Sequence, residues 1–187
     1  MSAEIKWPDE FPVIETERLL LRSVSTHDSS GIYSCFSHPE TMKYLGTPLD
    51  DPKLVEGIVT DYMEGFSQGC SLVWTLEEKS TGTFQGTAGF EEFNFLDCST
   101  ELGFTLLQGS RGNGFMTEAL SAILDFGFNW MGINRIHAGV LPENTPAVNL
   151  LQRLNFKVEG ILKQSVFFRD EFHHQMILAL LKEEMEN

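Results

Sequence analysis

The chain has 187 residues, which favours a single domain of about 100–200 residues. Its 27 acidic and 13 basic side chains give a net charge of −14 at pH 7. Because nucleic acids and anionic lipids are bound largely through Lys and Arg, this charge argues against a nucleic-acid partner and against a membrane surface. Three cysteines, none at a metal-binding spacing, predict neither a disulfide framework nor a metal site, and they favour a reducing, cytoplasmic compartment. No stretch approaches the ~20 apolar residues of a membrane span, and the first residues do not resemble a secretory signal.

The first part of the chain alternates extended and helical patterns. Residues 1–12 predict a loose lead-in, and residues 18–24 (RLLLRSV) predict a buried first strand. Asp28 to His38 predicts a helix capped by Asp28, and Asp51 to Gln68 predicts another. Three runs separated by turn residues then predict an antiparallel meander over 70–77, 84–93 and 100–107.

The second part contains a strand, loop and helix in succession. Gln108 to Gly114 is a glycine-rich loop, and the apolar spacing of Thr117 to Met131 predicts an amphipathic helix. Further patterns predict a strand over 135–140, a helix over 146–154, and last strands over 156–159 and 167–181. The chain therefore predicts one α+β domain over 1–187, with a mixed, mostly antiparallel central sheet and helices on both faces. If the terminal strand 167–181 is exposed, it offers an edge for a homodimer.

The glycine-rich loop predicts an anion site. A helix start presents unpaired N–H groups, the helix dipole adds partial positive charge, and glycines allow close approach to the main chain. An ordinary turn is the alternative. A Walker loop is excluded because no Gly-Lys-Ser/Thr follows, and a Rossmann site is disfavoured because the preceding strands predict a meander.

Arg111 to Leu120 (RGNGFMTEAL) resembles the signature loop and helix of the GNAT acetyltransferase superfamily, Arg/Gln-x-x-Gly-x-Gly/Ala. Other segments resemble the same superfamily in the same order, and the first resembles the branch that includes ribosomal-protein N-terminal-alanine acetyltransferases; they are 15–22 (ETERLLLR), 100–104, 134–136, 142–145 and 151–156. The resemblance implies an N-acetyltransferase that moves an acetyl group from acetyl-CoA to a primary amine by direct attack on the thioester. It also implies strands that splay at the cofactor site.

The same resemblance implies where the coenzyme lies. Main-chain N–H groups from Gly112 to Thr117 would hold its pyrophosphate, with Arg111 as a charged arm. Met116 stands where a small residue is usual, so its side chain must point away from the phosphates. Asn144 either contacts the coenzyme arm or caps the following helix, and both interpretations stay open. The cofactor-binding residues so implied are Leu106, Leu107, Arg111, Gly112, Asn113, Gly114, Phe115, Met116, Thr117, Asn144 and Arg153.

A general base is expected among the carboxylates of the central strands. Glu91 and Glu92 are adjacent, so only one can face the cleft; alternation places Glu92 on the face of Phe90. Glu101 begins the next strand and matches a glutamate of the family pattern. Glu101 and Glu92 are therefore the catalytic candidates.

Two departures from the family pattern leave the activity open. Superfamily members often place a hydroxyl acid at the positions of Leu151 and Ala147, and neither residue carries a hydroxyl. The alternative hypothesis is a catalytically weak acyl-CoA-binding or sensor module, and a third is an unrelated nucleotide-binding domain. For an enzyme, the acceptor is either a protein N-terminus or a small amine.

Overall fold

The structure is a computed structural model that describes residues 4–185. It is built on an eight-stranded sheet with the spatial order β1-β2-β3-β4-β5-β6-β8-β7. Within the described residues, β5 and β6 form the one parallel pair and the other neighbours are antiparallel. The strands are β1 (Ile14–Glu15), β2 (Leu19–Ser23), β3 (Leu72–Glu78), β4 (Thr83–Asn94), β5 (Ser99–Leu106), β6 (Arg135–Val140), β7 (Lys157–Phe168) and β8 (Glu171–Leu181).

Helices cover both faces of this sheet, as the sequence predicts, and the mostly antiparallel α+β class is confirmed. The helices are α1 (Ser29–Phe36), α2 (Pro39–Met42), α3 (Val55–Ser67), α4 (Phe115–Asp125), α5 (Thr145–Arg153) and α6 (Lys182–Met185). The larger core cluster includes α4 and α5, and a smaller one includes α1 and α3. A π-helical turn over Phe126–Met131 extends α4 to the predicted end. None of the helices described has the length and apolar character needed to cross a membrane.

Side-chain alternation divides the residues of the central strands between the two faces. On β3, Leu72, Trp74 and Leu76 are fully buried in the larger core, whereas Val73 packs in the smaller one. A period of two therefore determines which strand residues face α4 and which face α1 and α3.

The predicted loose lead-in is not loose where the structure describes it; residues 1–3 lie outside the described range. Ile5 is buried in the larger core. The Lys6 N–H donates to the Met131 carbonyl at 2.8 Å, and the Trp74 indole donates to the Pro12 carbonyl at 2.7 Å. These tertiary bonds hold the segment, and no local pattern predicts them.

The C-terminal strands differ from the prediction. Residues 157–168 form one long strand, and Arg169 and Asp170 turn the chain back with φ of 52° and 61°. Two left-handed residues make a tight hairpin turn, which glycine or asparagine would have signalled. Because β8 lies between β6 and β7, the edge strand is β7. The expectation that 167–181 offers a dimer edge is therefore wrong, and a homodimer stays a prediction.

The one parallel pair opens along its length. Ser99 to Glu101 pair with Arg135 to His137, and no pairing of β5 with β6 continues beyond that in the described chain. From there β5 stays on β4 to Leu106, while β6 stays on β8 to Val140. The predicted splay is confirmed, and the edge of β5 beyond Glu101 that faces β6 is unpaired.

Candidate functional site

The loop between β5 and α4 presents main-chain N–H groups at the splay. Gly112 and Gly114 both have φ of 79°, in the left-handed region that favours glycine. The first hydrogen bond of α4 runs from the Glu118 N–H to the Gly114 carbonyl at 3.1 Å. The N–H groups of residues 115–117 therefore precede the helical hydrogen bonds, at the positive end of the helix dipole. This geometry suits a phosphate group.

The side chains of the first helical turn leave this end of the helix uncrowded. Met116 is buried in the larger core, so it points away from the N–H groups as the sequence requires. Phe115 is buried as well. Leu106 and Leu107 are half-buried at the end of β5, next to its unpaired edge.

Arg18 shapes the loop, although no sequence pattern predicted a site role for it. Its Nε donates to Glu118 Oε2 at 2.6 Å and its Nη1 to the Asn113 carbonyl at 2.8 Å. Its guanidinium lies 4.7 Å from the centre of the Phe115 ring. Desolvation raises the pKa of Glu118, but hydrogen bonds from Thr16 and Arg18 outweigh it and hold that pKa below its ordinary value. A contact across 100 residues leaves no local signal.

The remaining coenzyme candidates take different positions. Arg111 is exposed, and its Nη2 donates to the Thr41 hydroxyl on α2 at 3.0 Å. Asn144 caps α5, because its Oδ1 accepts the Ala147 N–H at 3.4 Å. Arg153 is exposed at the end of α5. The structure therefore brings the candidates from Leu106 to Thr117 together at one site, and it gives Asn144 the capping role.

Two carboxylates lie side by side where the strands begin to splay. Glu91 on β4 is the register partner of Glu101 on β5, so both project from the face covered by α1 and α3. Glu101 is also in the last parallel pair, opposite His137. A Cβ atom at Gly103 would lie 2.7 Å from Glu91 Oε1, so the glycine leaves room for that carboxylate. Glu91 is the residue that sequence reasoning passed over.

Glu92 does not follow the alternation predicted for it. It is exposed, has φ of 51°, and lies in a β-bulge between Glu91 and Asn94. Its charge raises the pKa of both Glu91 and Glu101, whereas Phe90 is buried in the larger core. The bulge interrupts the period of two on which the prediction depended.

The surroundings favour the protonated form of both central carboxyls. Burial raises the pKa of Glu101; the positive field of His137 and the Gly139 N–H oppose the rise, and Glu92 adds to it. Burial also raises the pKa of Glu91, and the charges of Glu101 and Glu92 raise it further. A carboxylate with a raised pKa is better matched to taking a proton near neutral pH than a free glutamate. Over residues 4–185 no group of three or more His, Cys, Asp or Glu side chains could hold a metal ion.

A cavity of about 310 Å³ adjoins Glu91 between α1, α3 and β4. Its walls combine aromatic, aliphatic and acidic groups, namely Phe36, Ile58, Asp61, Tyr62, Ser71 and Glu91. Burial raises the pKa of Tyr62, so its phenol is neutral at pH 7. The cavity therefore combines apolar walls with two carboxylates, those of Asp61 and Glu91.

Comparison with known proteins agrees with this geometry. The sequence pattern of the acetyltransferase (GNAT) domain matches residues 18–157. An uncharacterized N-acetyltransferase, p20 of Bacillus licheniformis, is 32% identical, with 90% of this chain and 96% of that protein covered. The ribosomal protein uS5-alanine N-acetyltransferase of Escherichia coli is 25% identical over 89% of each chain. A crystal structure of a GNAT-family acetyltransferase from Bacillus anthracis matches with a TM-score of 0.83 at 24% identity, covering 92% of this chain and 100% of that one.

Proposed function

Because the chain belongs to the GNAT family and is thus an acetyl-CoA-dependent N-acetyltransferase, we propose that it acetylates a primary amine between β5 and β6. The observation that carries the proposal is the splay itself. Parallel pairing ends at Glu101 and His137, and the gap opens beside the N–H groups that begin α4. An extended thioester arm and an amine can meet there from opposite faces of the sheet.

The loop residues bind the coenzyme in this proposal. Main-chain N–H groups from Gly112 to Thr117 hold the pyrophosphate, and Arg111 supplies a positive charge once it exchanges Thr41 for a phosphate oxygen. Leu106 and Leu107 flank the pantetheine arm, which takes the place of a strand on the unpaired edge of β5. Asn144 positions α5 through its cap, and Arg153 reaches the coenzyme only from the solvent side.

Glu101 is the general base of the proposed reaction. The amine nitrogen bonds to the thioester carbonyl carbon, the carbon–sulfur bond breaks, and the amine proton passes to Glu101 directly or through one water. A backbone N–H on the unpaired edge of β5 stabilises the oxyanion. A thiol has a pKa of about 8.5, so its thiolate is a stable leaving group. The departing thiolate therefore takes its proton from solvent and does not need the hydroxyl that Leu151 and Ala147 lack.

Two acceptors follow from different observations. The likeness to the uS5-alanine N-acetyltransferase supports a protein N-terminus, which would place the reaction in the cytoplasm. The cavity of about 310 Å³ beside Glu91 supports a small amine. In both cases the net charge of −14 attracts a cationic acceptor.

Thermal unfolding with and without acetyl-CoA tests the coenzyme site, with ATP as the control nucleotide. A ligand at 100 times its Kd adds about 2.7 kcal/mol to the folded state, which raises the midpoint visibly. We expect the rise with acetyl-CoA alone, followed by thiol release when an alanine-terminated peptide or a small amine is added. Binding without release from any amine would favour the sensor hypothesis. The absence of a rise in folded protein would overturn the coenzyme site.

A further inference from the structure

One acidic side chain in the interior has no donor to satisfy it. In the described part of the chain, seven acidic residues are buried or half-buried. Six of them receive a cation or a hydrogen-bond donor, namely Asp28, Glu77, Glu78, Glu101, Glu118 and Glu184. The Glu91 carboxylate receives neither a hydrogen bond nor an ion pair from residues 4–185. A half-buried carboxylate without a partner is costly, so a structural role does not account for it.

The surroundings of Glu91 define what would satisfy it. Asp61 adds a second carboxylate to the same cavity, and the rings of Phe36 and Tyr62 supply apolar walls with electron-rich faces. No Lys or Arg contributes to that lining. A primary ammonium on an alkyl chain matches these walls, because the methylenes contact the rings and the charge reaches Glu91.

Glu101 lies at the proposed reaction site, the splay between β5 and β6, and Glu91 lies on the neighbouring strand. Glu101 borders the splay, whereas the backbone of Glu91 lies one strand further back, about 4.8 Å away, and its Oε1 reaches over Gly103 on β5. An amine that reacts at the splay is therefore next to Glu101, and the rest of the same molecule extends over Gly103 toward Glu91. Register partners on neighbouring strands have Cβ atoms about 4.5–5.5 Å apart, so the two carboxylates can contact two amino groups joined by a short alkyl spacer.

We propose that Glu91 is a specificity-determining residue that binds the second, non-reacting ammonium group of the acceptor, so that the preferred substrates are short alkyl diamines. The inference rests on the proposed function, because it needs an amine acceptor at Glu101. It narrows the acceptor from any primary amine to one that carries a second positive charge on a flexible apolar spacer.

The test compares putrescine, a four-carbon diamine, with butylamine, which lacks the second amine. A hydrogen bond to a charged group contributes about 1.5–3 kcal/mol, so wild-type kcat/KM should favour putrescine by about tenfold or more. Glu91→Gln keeps the shape and removes the charge. We expect it to raise KM for putrescine about tenfold, with kcat for both amines and KM for butylamine within about twofold of wild type. Glu56→Gln, an exposed change on α3 outside the cavity lining, should leave the preference intact.

The outcomes separate this inference from the proposed function. Equal use of the two amines by the wild type, or an equal loss for both in Glu91→Gln, would overturn the specificity role. Turnover of an N-terminal peptide but of neither small amine would also contradict it, while leaving N-acetylation standing. If acetyl-CoA binds but no tested amine or peptide causes thiol release, the proposed function is instead refuted. If Glu91→Gln does not fold, Glu91→Asp, which keeps the charge, must retain a preference for putrescine.

Discussion

Two carboxylates on the same face of the sheet are buried in opposite ways. Asp28, 3% exposed, accepts hydrogen bonds from Arg22 at 2.8 and 2.9 Å, from the Ser25 N–H at 2.9 Å and from the Thr75 hydroxyl at 3.0 Å. Glu91 lies on the same face and has no such donors in the described chain. A buried charge with its partners therefore stabilises the fold, whereas one without partners is available to a ligand.

The largest effect on the free energy of unfolding should come from removing the cation that pairs with Asp28. Arg22→Ala leaves Asp28 without its cation, and removing one partner of a buried pair costs about 3–5 kcal/mol. We expect that loss in the free energy of unfolding, measured by urea denaturation. Arg135→Ala is the matched control, because it breaks a more exposed pair with Glu159 and should cost about 0–1 kcal/mol. Equal losses would show that Asp28 is not the structural charge we describe.

The largest effect on the reaction rate should come from replacing Glu101, which lies beside Glu91. Removal of a general base lowers the rate by about 10²–10⁴-fold, and we expect a loss in that range for Glu101→Gln. Thiol release measures kcat/KM, and the unfolding midpoint should not fall. Glu92→Gln tests the other catalytic candidate and should lower kcat/KM far less, since its side chain is exposed in the bulge and acts on Glu101 only through its charge. A larger loss in Glu92→Gln than in Glu101→Gln would exchange their roles.

The coenzyme loop offers a smaller and cleaner comparison between two glycines. A side chain at Gly112 meets no neighbour, but φ of 79° there costs a non-glycine residue about 1–2 kcal/mol. Gly112→Ala should lower the free energy of unfolding by that amount or weaken acetyl-CoA binding about tenfold, read by calorimetric titration. Gly109→Ala lies in the same loop, also meets nothing and has no left-handed φ, so it should change neither. Equal behaviour of the two variants would show that the backbone of Gly112 is not essential to the loop.

Local patterns predict those parts of the fold that are determined locally. The strand over Arg135–Val140 has the predicted bounds, and α4 begins two residues before its predicted start. Asp28 does precede α1 as predicted, but its side chain makes no bond to that helix and turns instead to Arg22. A capping residue and a buried ion-pair partner have the same sequence signal, so only tertiary packing distinguishes them.

In the candidate site, local sequence patterns predicted the coenzyme loop but not the arrangement of the carboxylates. The glycine loop is contiguous, and its residues from Leu106 to Thr117 fall at one place. The carboxylates come from neighbouring strands, and a single bulge at Glu92 decides which of them faces the splay. Neither that bulge nor the contact of Arg18 with Glu118 leaves a pattern in the residues around it.

The smallest expected effect is on the pH dependence of the free energy of unfolding, to which Asp28 and Glu91 should contribute with opposite signs. Despite desolvation, Arg22 and the Ser25 N–H hold the pKa of Asp28 low, so its contribution is present above the unfolded value of about 3.9 and is lost as pH falls through the folded pKa. Burial raises the pKa of Glu91, so its contribution is present below about 4.3 and is lost as pH rises through the folded pKa. Glu91→Gln should therefore be more stable than wild type at pH 7 and lose that advantage near pH 4, whereas Asp28→Asn should be less stable at pH 7 and approach wild type in acid. Urea denaturation across that range measures both, and a Glu91→Gln variant less stable than wild type at pH 7 would mean that Glu91 has a partner in the folded protein after all.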